Sequence, residues 1–101
     1  MTRTGRALYN LDRELRFLSA NEQALSMWGK QQDEVIGRRI DDVFPEVRGS
    51  EPLEAHARAL KSLKPFRKVV RSPVLNQRIA LEIHPSANGL SVSFVRLEPE
   101  S

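Results

Sequence analysis

The chain closes on a period-2 pattern. Residues 79–84 read Ile-Ala-Leu-Glu-Ile-His and residues 90–95 read Leu-Ser-Val-Ser-Phe-Val, with Pro85-Ser86-Ala87-Asn88-Gly89 between them. Alternate residues of a strand share a face, so Ile79, Leu81 and Ile83 make one apolar side and Leu90, Val92 and Phe94 make the next. The spacing predicts an antiparallel hairpin whose turn ends in Asn-Gly. A shorter alternation near the start, Ala7–Leu11 and Leu15–Ser19 around Asp12-Arg13-Glu14, predicts a first hairpin. Phe66–Arg71 reads as a further strand, broken at Ser72-Pro73.

Between these strands the period changes to that of helices. Asn21, whose side chain can accept from an unpaired amide, predicts a helix start, with Ser19 and Glu22 as an alternative capping box one register earlier. That helix runs to Trp28 and stops at Gly29, with Ala24, Leu25 and Trp28 on one face. Gln31–Ile36 and Arg39–Phe44 predict two brief helical segments, ended by Gly37 and Pro45. Gly49-Ser50-Glu51-Pro52 opens the longest helix, with proline tolerated in its first turn. Its expected apolar stripe is Leu53, Ala57, Leu60 and Leu63, and Lys64-Pro65 ends it. Strands, short helices, one longer helix, then strands again predict an α+β domain. Its sheet is antiparallel and five-stranded, with the helices packed on one face. The domain spans residues 7–97, between polar tails at 1–6 and 98–101.

Composition narrows the chemistry. A chain of 101 residues makes one domain with one core. It has no cysteine, which removes disulfides, thiolate metal sites, a cysteine nucleophile and cysteinyl cofactor adducts. Its apolar runs are only three or four residues long and the first residues lack an apolar stretch, so neither a membrane span nor a signal peptide is expected. The expected location is cytoplasmic. The net charge is +3, and Arg67, Lys68, Arg71 and Arg78 lie close together. No aromatic residues interleave with them to stack on bases, so a solvated strand face is expected and no nucleic-acid partner.

The order and punctuation of these elements resemble the PAS domain, a sensory module of signalling proteins. Leu11-Asp12-Arg13-Glu14-Leu15-Arg16-Phe17 resembles the family's first hairpin, and Asn21-Glu22-Gln23-Ala24-Leu25 its first helix start. Trp28-Gly29 followed by Glu34-Val35-Ile36-Gly37-Arg38 resembles its paired glycine-ended segment. Val43-Phe44-Pro45-Glu46 resembles the link into the long helix, and Glu54–Leu60 that helix. The resemblance covers residues 7–97 and implies a PAS-like sheet with its helices on one face. It also implies a non-enzymatic module for sensing or interaction, working through a dimer or an output domain of a larger protein. Two features depart from the pattern. Gln31 stands where a serine often caps the second helix, and the last residues lack the D-x-T-like ending through which many relatives signal.

The apolar sides of the strands and helices face a common space. Trp28, Phe44, Leu53, His56, Leu60, Leu81, Val92 and Phe94 are its expected lining, a mostly apolar set of the kind that holds a small ligand. The same residues can instead fill the space as core. Trp28 carries an indole N–H that seeks a partner, and core packing against the sheet is the plainer alternative. Some relatives hold haem through a histidine on the long helix. His56 lies about one turn beyond that position, so haem is not expected and a surface or half-buried histidine is. The light-sensing relatives bind flavin through a cysteine that this chain lacks, which leaves only a non-covalent flavin. No metal is expected from two histidines so far apart. Val69, Val95 and Leu97 have the opposite strand parity, on the outer side of the sheet. They predict a face for a homodimer, with the N-terminal segment as the alternative contact; Arg67, Arg71 and Arg96 ring the face and pair with Glu82 or Glu98.

Overall fold

The computed structural model describes residues 6–97. Five strands form one antiparallel sheet: β1 (Ala7–Asp12), β2 (Phe17–Ala20), β3 (Phe66–Ser72), β4 (Gln77–Ser86) and β5 (Gly89–Arg96), in the order β2-β1-β5-β4-β3. The helices α1 (Glu22–Trp28), α2 (Gln32–Val35), α3 (Ile40–Val43) and α4 (Glu51–Ser62) fall between β2 and β3, with a 3-10 turn at Pro45–Val47. The core lies between the sheet and these helices. Phe17, Leu11, Leu81, Ile83, Val35 and Val92 are its largest fully enclosed side chains. Among the described residues no helix is long and apolar enough to cross a membrane.

The closing hairpin is tighter than its sequence suggests. Pro85 pairs with Leu90 and Ser86 with Gly89, so the strands run on until only Ala87 and Asn88 turn the chain. Gly89 is required here. Its φ is +147°, and a Cβ would run into the Leu11 carbonyl oxygen of β1 and lie 2.9 Å from the Asp12 Cα. In the first hairpin the Asp12 carboxylate accepts from the amides of Glu14 and Arg16, at 2.8 and 2.9 Å, closing an Asx-type turn. Leu15 belongs to that turn, with φ +64°, rather than to the strand. A register shift then puts Leu11 opposite Phe17 and Tyr9 opposite Ala20, which leaves Leu18 exposed on the bulge.

Asn21 ties α1 to the sheet. Its Oδ1 accepts from the amides of Ala24 and Leu8, and its Nδ2 donates to the Arg6 carbonyl. Gly29, at φ +68°, ends the helix as expected. At α2, where Gln31 replaces a more usual cap, Glu34 reaches back so that its carboxylate accepts the Gln31 N–H at 2.8 Å.

On α4 the expected stripe is displaced. Pro52, Ala55, His56 and Ala59 are buried, Leu53 and Leu60 are half-buried at the margins, and Ala57 and Leu63 are exposed. Small side chains at the centre let the helix approach β3, β4 and β5 closely. Leu63 is the αL residue that ends the helix, which turns its side chain away from the core.

Candidate functional site

Strand parity and the start of α4 converge on one cavity under the sheet. Tyr9 projects into it from the inner face of β1, sharing that face with Ala7 and Leu11. Ile79 and Leu81 of β4 and Phe94 of β5 form the floor. Trp28, Ile40, Phe44 and Val47 form one side. Pro52, Leu53 and His56 of α4 form another, and Ser72, Pro73 and Val74 close it where β3 turns toward β4. The space, partly open to solvent, measures about 50 Å³. That is room for a few water-sized spheres, and it lies below the usual 300–1,000 Å³ of a small-molecule site.

The walls are strongly aromatic. Trp28 has ring centroids at 5.1 Å from Phe44, 5.4 Å from Tyr9, 5.5 Å from Phe17 and 6.1 Å from Phe94. Such offset and edge geometries are the favourable ones for aromatic pairs. Trp28 is nonetheless only half-buried, less than its place on an apolar helix face suggests. It is the last residue of α1, so part of the indole stays in solvent while the rest walls the cavity.

His56 reverses the expectation of a surface or half-buried histidine: it is 2% exposed. A helical side chain leans back over the preceding turn, which brings His56 Nδ1 to 2.6 Å from the Pro52 carbonyl oxygen. A carbonyl only accepts, so Nδ1 carries the proton and donates. Nε2 is then bare, and the Tyr9 hydroxyl donates to it at 2.7 Å. The two rings lie nearly parallel, 10° apart. Burial pushes the imidazole below its ordinary pKa, opposed by the bond to Pro52, and burial pushes the Tyr9 phenol well above its own. Both side chains are neutral, and their hydrogen bonds offset the cost of burying them.

Of the expected lining, Trp28, Phe44, Leu53, His56, Leu81 and Phe94 border this cavity. Leu60 and Val92 do not. Leu60 lies one turn beyond His56, at the margin of the core, and Val92 sits between Tyr9 and Ile83 in the register, away from the Ile79 end of the sheet. Tyr9, Ile40, Val47, Pro52, Ser72, Pro73, Val74 and Ile79 border it outside the expected set. The parity of Ala7-Leu8-Tyr9-Asn10-Leu11 was the signal available for Tyr9. Nothing local marks Val74, which the β3–β4 turn folds inward.

The outer sheet face has its own order. Val69, Ala80 and Val95 fall in one row across β3, β4 and β5, with Val69 46% exposed. Leu97, half-buried just past β5, has the same parity. Arg67 meets Glu82 at 2.9 Å, and Arg6 and His84 approach the same carboxylate at 3.5 and 3.6 Å. Desolvation raises the Glu82 carboxyl, but His84, Arg67 and Arg6 together outweigh it and hold the group below its ordinary value. Arg71 faces Arg78 across the pair of strands and turns to Asn76 Oδ1 at 2.7 Å. Arg96 does not belong to this face: its partner is the buried Ile79, which places it on the helix side. Glu98 lies outside the described residues. Lys68 likewise has the inner parity and reaches Glu51 of α4 at 2.6 Å. Among the described residues no group of three or more His, Asp or Glu could hold a metal ion.

Comparison with known proteins gives the geometry its context. The family model described as PAS fold matches residues 2–80. The PAS domain of histidine kinase ThkA is similar in structure, with TM-score 0.75 and 16% identity over 90% of this chain and 99% of that one. A sensory box sensor histidine kinase from Vibrio cholerae has TM-score 0.78 and 18% identity, covering 95% of this chain and 84% of the other. A Rhodobacter sphaeroides LOV protein has TM-score 0.70 and 24% identity over 97% of this chain, which spans 62% of that protein's chain. No curated protein sequence matches. With the strand order, the helix positions and the sequence match in agreement, the chain belongs to the PAS fold family.

Proposed function

We propose that this domain is a non-enzymatic signal-sensing module. It takes a small ligand into the cavity under the sheet and passes the change on through a second copy or an output domain. The observation that carries this reading is the buried Tyr9–His56 pair on the wall of an aromatic cavity. A domain this small gains nothing obvious in stability from burying two polar side chains where apolar ones would pack. A fixed polar pair in an otherwise apolar space is the usual make-up of a small-molecule site. The sensor kinases among the structural relatives fit the same reading.

The Val69–Ala80–Val95 row and Leu97 supply an apolar strip that a second copy can cover, with the charges around Glu82 at its rim. Rim charges of this kind set register more than affinity. Arg67, Lys68 and Arg71 are each engaged by a neighbour, which favours a reading without nucleic acid. The reading also carries no haem and no flavin. Both His56 nitrogens are already bonded, and the cavity is far smaller than either group needs.

The cavity volume favours one second reading. A space of about 50 Å³ is close to filled, as in an interaction domain whose sheet face makes the dimer. Thermal unfolding across a library of small neutral molecules, with sedimentation across protein concentration, separates the two. The sensor reading expects a melting temperature that rises with ligand concentration. A dimer indifferent to every compound supports the second reading and overturns the first.

A further inference from the structure

The proton inventory of the buried pair defines which ligand the cavity suits. Of the residues bordering the space, none is Asp, Glu, Lys or Arg. An ionised ligand would lose its hydration with no counter-charge to replace it. The polar side chains that meet at the start of α4 are Tyr9 of β1 and His56, and the protons of that pair are already assigned; the Trp28 indole N–H is a further donor on the wall. His56 Nδ1–H is spent on Pro52 O, and the Tyr9 hydroxyl proton is spent on His56 Nε2. What Tyr9 retains is oxygen lone pairs. Donating to Nε2 also polarises that oxygen and strengthens it as an acceptor. Ser72, also on the wall, stands six residues along β3 from Phe66, the β3 position in Tyr9's row; its Oγ accepts the Leu75 N–H at 3.1 Å and keeps its own O–H.

We propose that the site selects a small, neutral, planar aromatic molecule carrying an O–H or N–H that donates to Tyr9 Oη. This rests on the cavity being a ligand site, as proposed above. The aromatic side chains Trp28, Phe44 and Phe94 supply faces for one ring. An empty cavity of about 150 Å³ is the scale that admits benzene, so the present 50 Å³ must widen. Trp28, only partly buried, is the wall that can give way without losing a fully buried side chain. A ligand whose polar atom only accepts finds no donor at Tyr9 and must turn away from the pair, toward the Trp28 indole N–H or the Ser72 hydroxyl.

The test uses four probes followed by NMR titration of the whole chain at pH 7: phenol, toluene, benzaldehyde and benzoate. Affinities are expressed relative to toluene, which cancels the burial of the ring. In the Tyr9→Phe/His56→Leu double variant, which leaves no bare imidazole nitrogen to take the probe's proton, the phenol-to-toluene affinity ratio is expected to fall about tenfold, the worth of one hydrogen bond. The benzaldehyde ratio is expected to stay unchanged, and benzoate to bind weakest in both proteins. A second measurement needs no variant: anisole keeps the oxygen of phenol without its proton and is expected to bind the wild-type chain about tenfold more weakly than phenol. An unchanged phenol ratio with anisole equal to phenol, or preference for benzaldehyde or benzoate, overturns the ligand class and leaves the cavity a ligand site. If no probe, toluene included, shifts any resonance of the cavity lining at saturating concentration, the underlying reading falls with it.

Discussion

The buried Tyr9–His56 pair makes a prediction that can be worked through from the geometry. Tyr9→Phe removes the donor to His56 Nε2 and leaves that nitrogen bare in a buried site, at a cost of about 1–3 kcal/mol. His56→Leu leaves the Tyr9 hydroxyl without its acceptor, at a similar cost. The double variant removes both partners and leaves nothing unsatisfied, so its loss should be smaller than the sum of the two by about 1–2 kcal/mol.

The pH dependence is a second arm of the same experiment. Burial lowers the His56 pKa, so between the folded and unfolded values the unfolded chain binds the extra proton. Stability from this group is therefore complete above the ordinary imidazole value of about 6.5. It is lost as pH falls toward the folded value, at no more than about 1.4 kcal/mol per pH unit. Urea unfolding followed by circular dichroism at pH 7.5 and 5.5 reads both arms. The wild-type chain and Tyr9→Phe should lose stability on acidification more steeply than His56→Leu and the double variant. Additive single-variant costs, or a pH slope that survives His56→Leu, would refute the reasoning.

Three further outcomes follow from the fold and its surface. Gly89→Ala forces a Cβ onto the β1 backbone at a φ that L residues avoid, and chemical denaturation should show a loss of about 2–3 kcal/mol or more. Asn21→Ala removes the α1 cap together with the bond to the Leu8 amide, so its cost should reach the upper end of the capping range, about 2 kcal/mol; a loss below about 0.5 kcal/mol would contradict that double role. Val95→Glu places a charge in the outer apolar row, so sedimentation should show weakened self-association while circular dichroism stays native. A wild-type chain that stays monomeric at high concentration, or an unfolded variant, goes against that assignment.

Most of the fold was legible because its signals are local. The alternation of Ile79-Leu81-Ile83 and Leu90-Val92-Phe94 settles which face is inside, and Asn21 and Gly29 bracket α1. What escaped is set by distant neighbours. The buried side of α4 follows from how closely the helix approaches the sheet, which favours Ala55 and Ala59 over the more hydrophobic Leu63. Arg96 is a different case: it has the parity of Leu90, Val92 and Phe94, so the alternation itself puts it on the inner side, where the pairing with Ile79 finds it. His56 was the hardest to place. Nothing beside it in sequence tells that Tyr9, 47 residues away, supplies the hydroxyl that makes a buried imidazole tolerable. Six of the eight expected lining residues nonetheless border the cavity, because parity and helix face alone direct them inward.

The most direct test of the account is a methyl-resolved NMR titration of the wild-type chain with phenol. The account predicts saturable shifts at Leu53, Val74, Ile79 and Leu81, which border the cavity, with Val69 and Val95 on the outer face unmoved. Shifts confined to the outer face, or none at saturation, would contradict it.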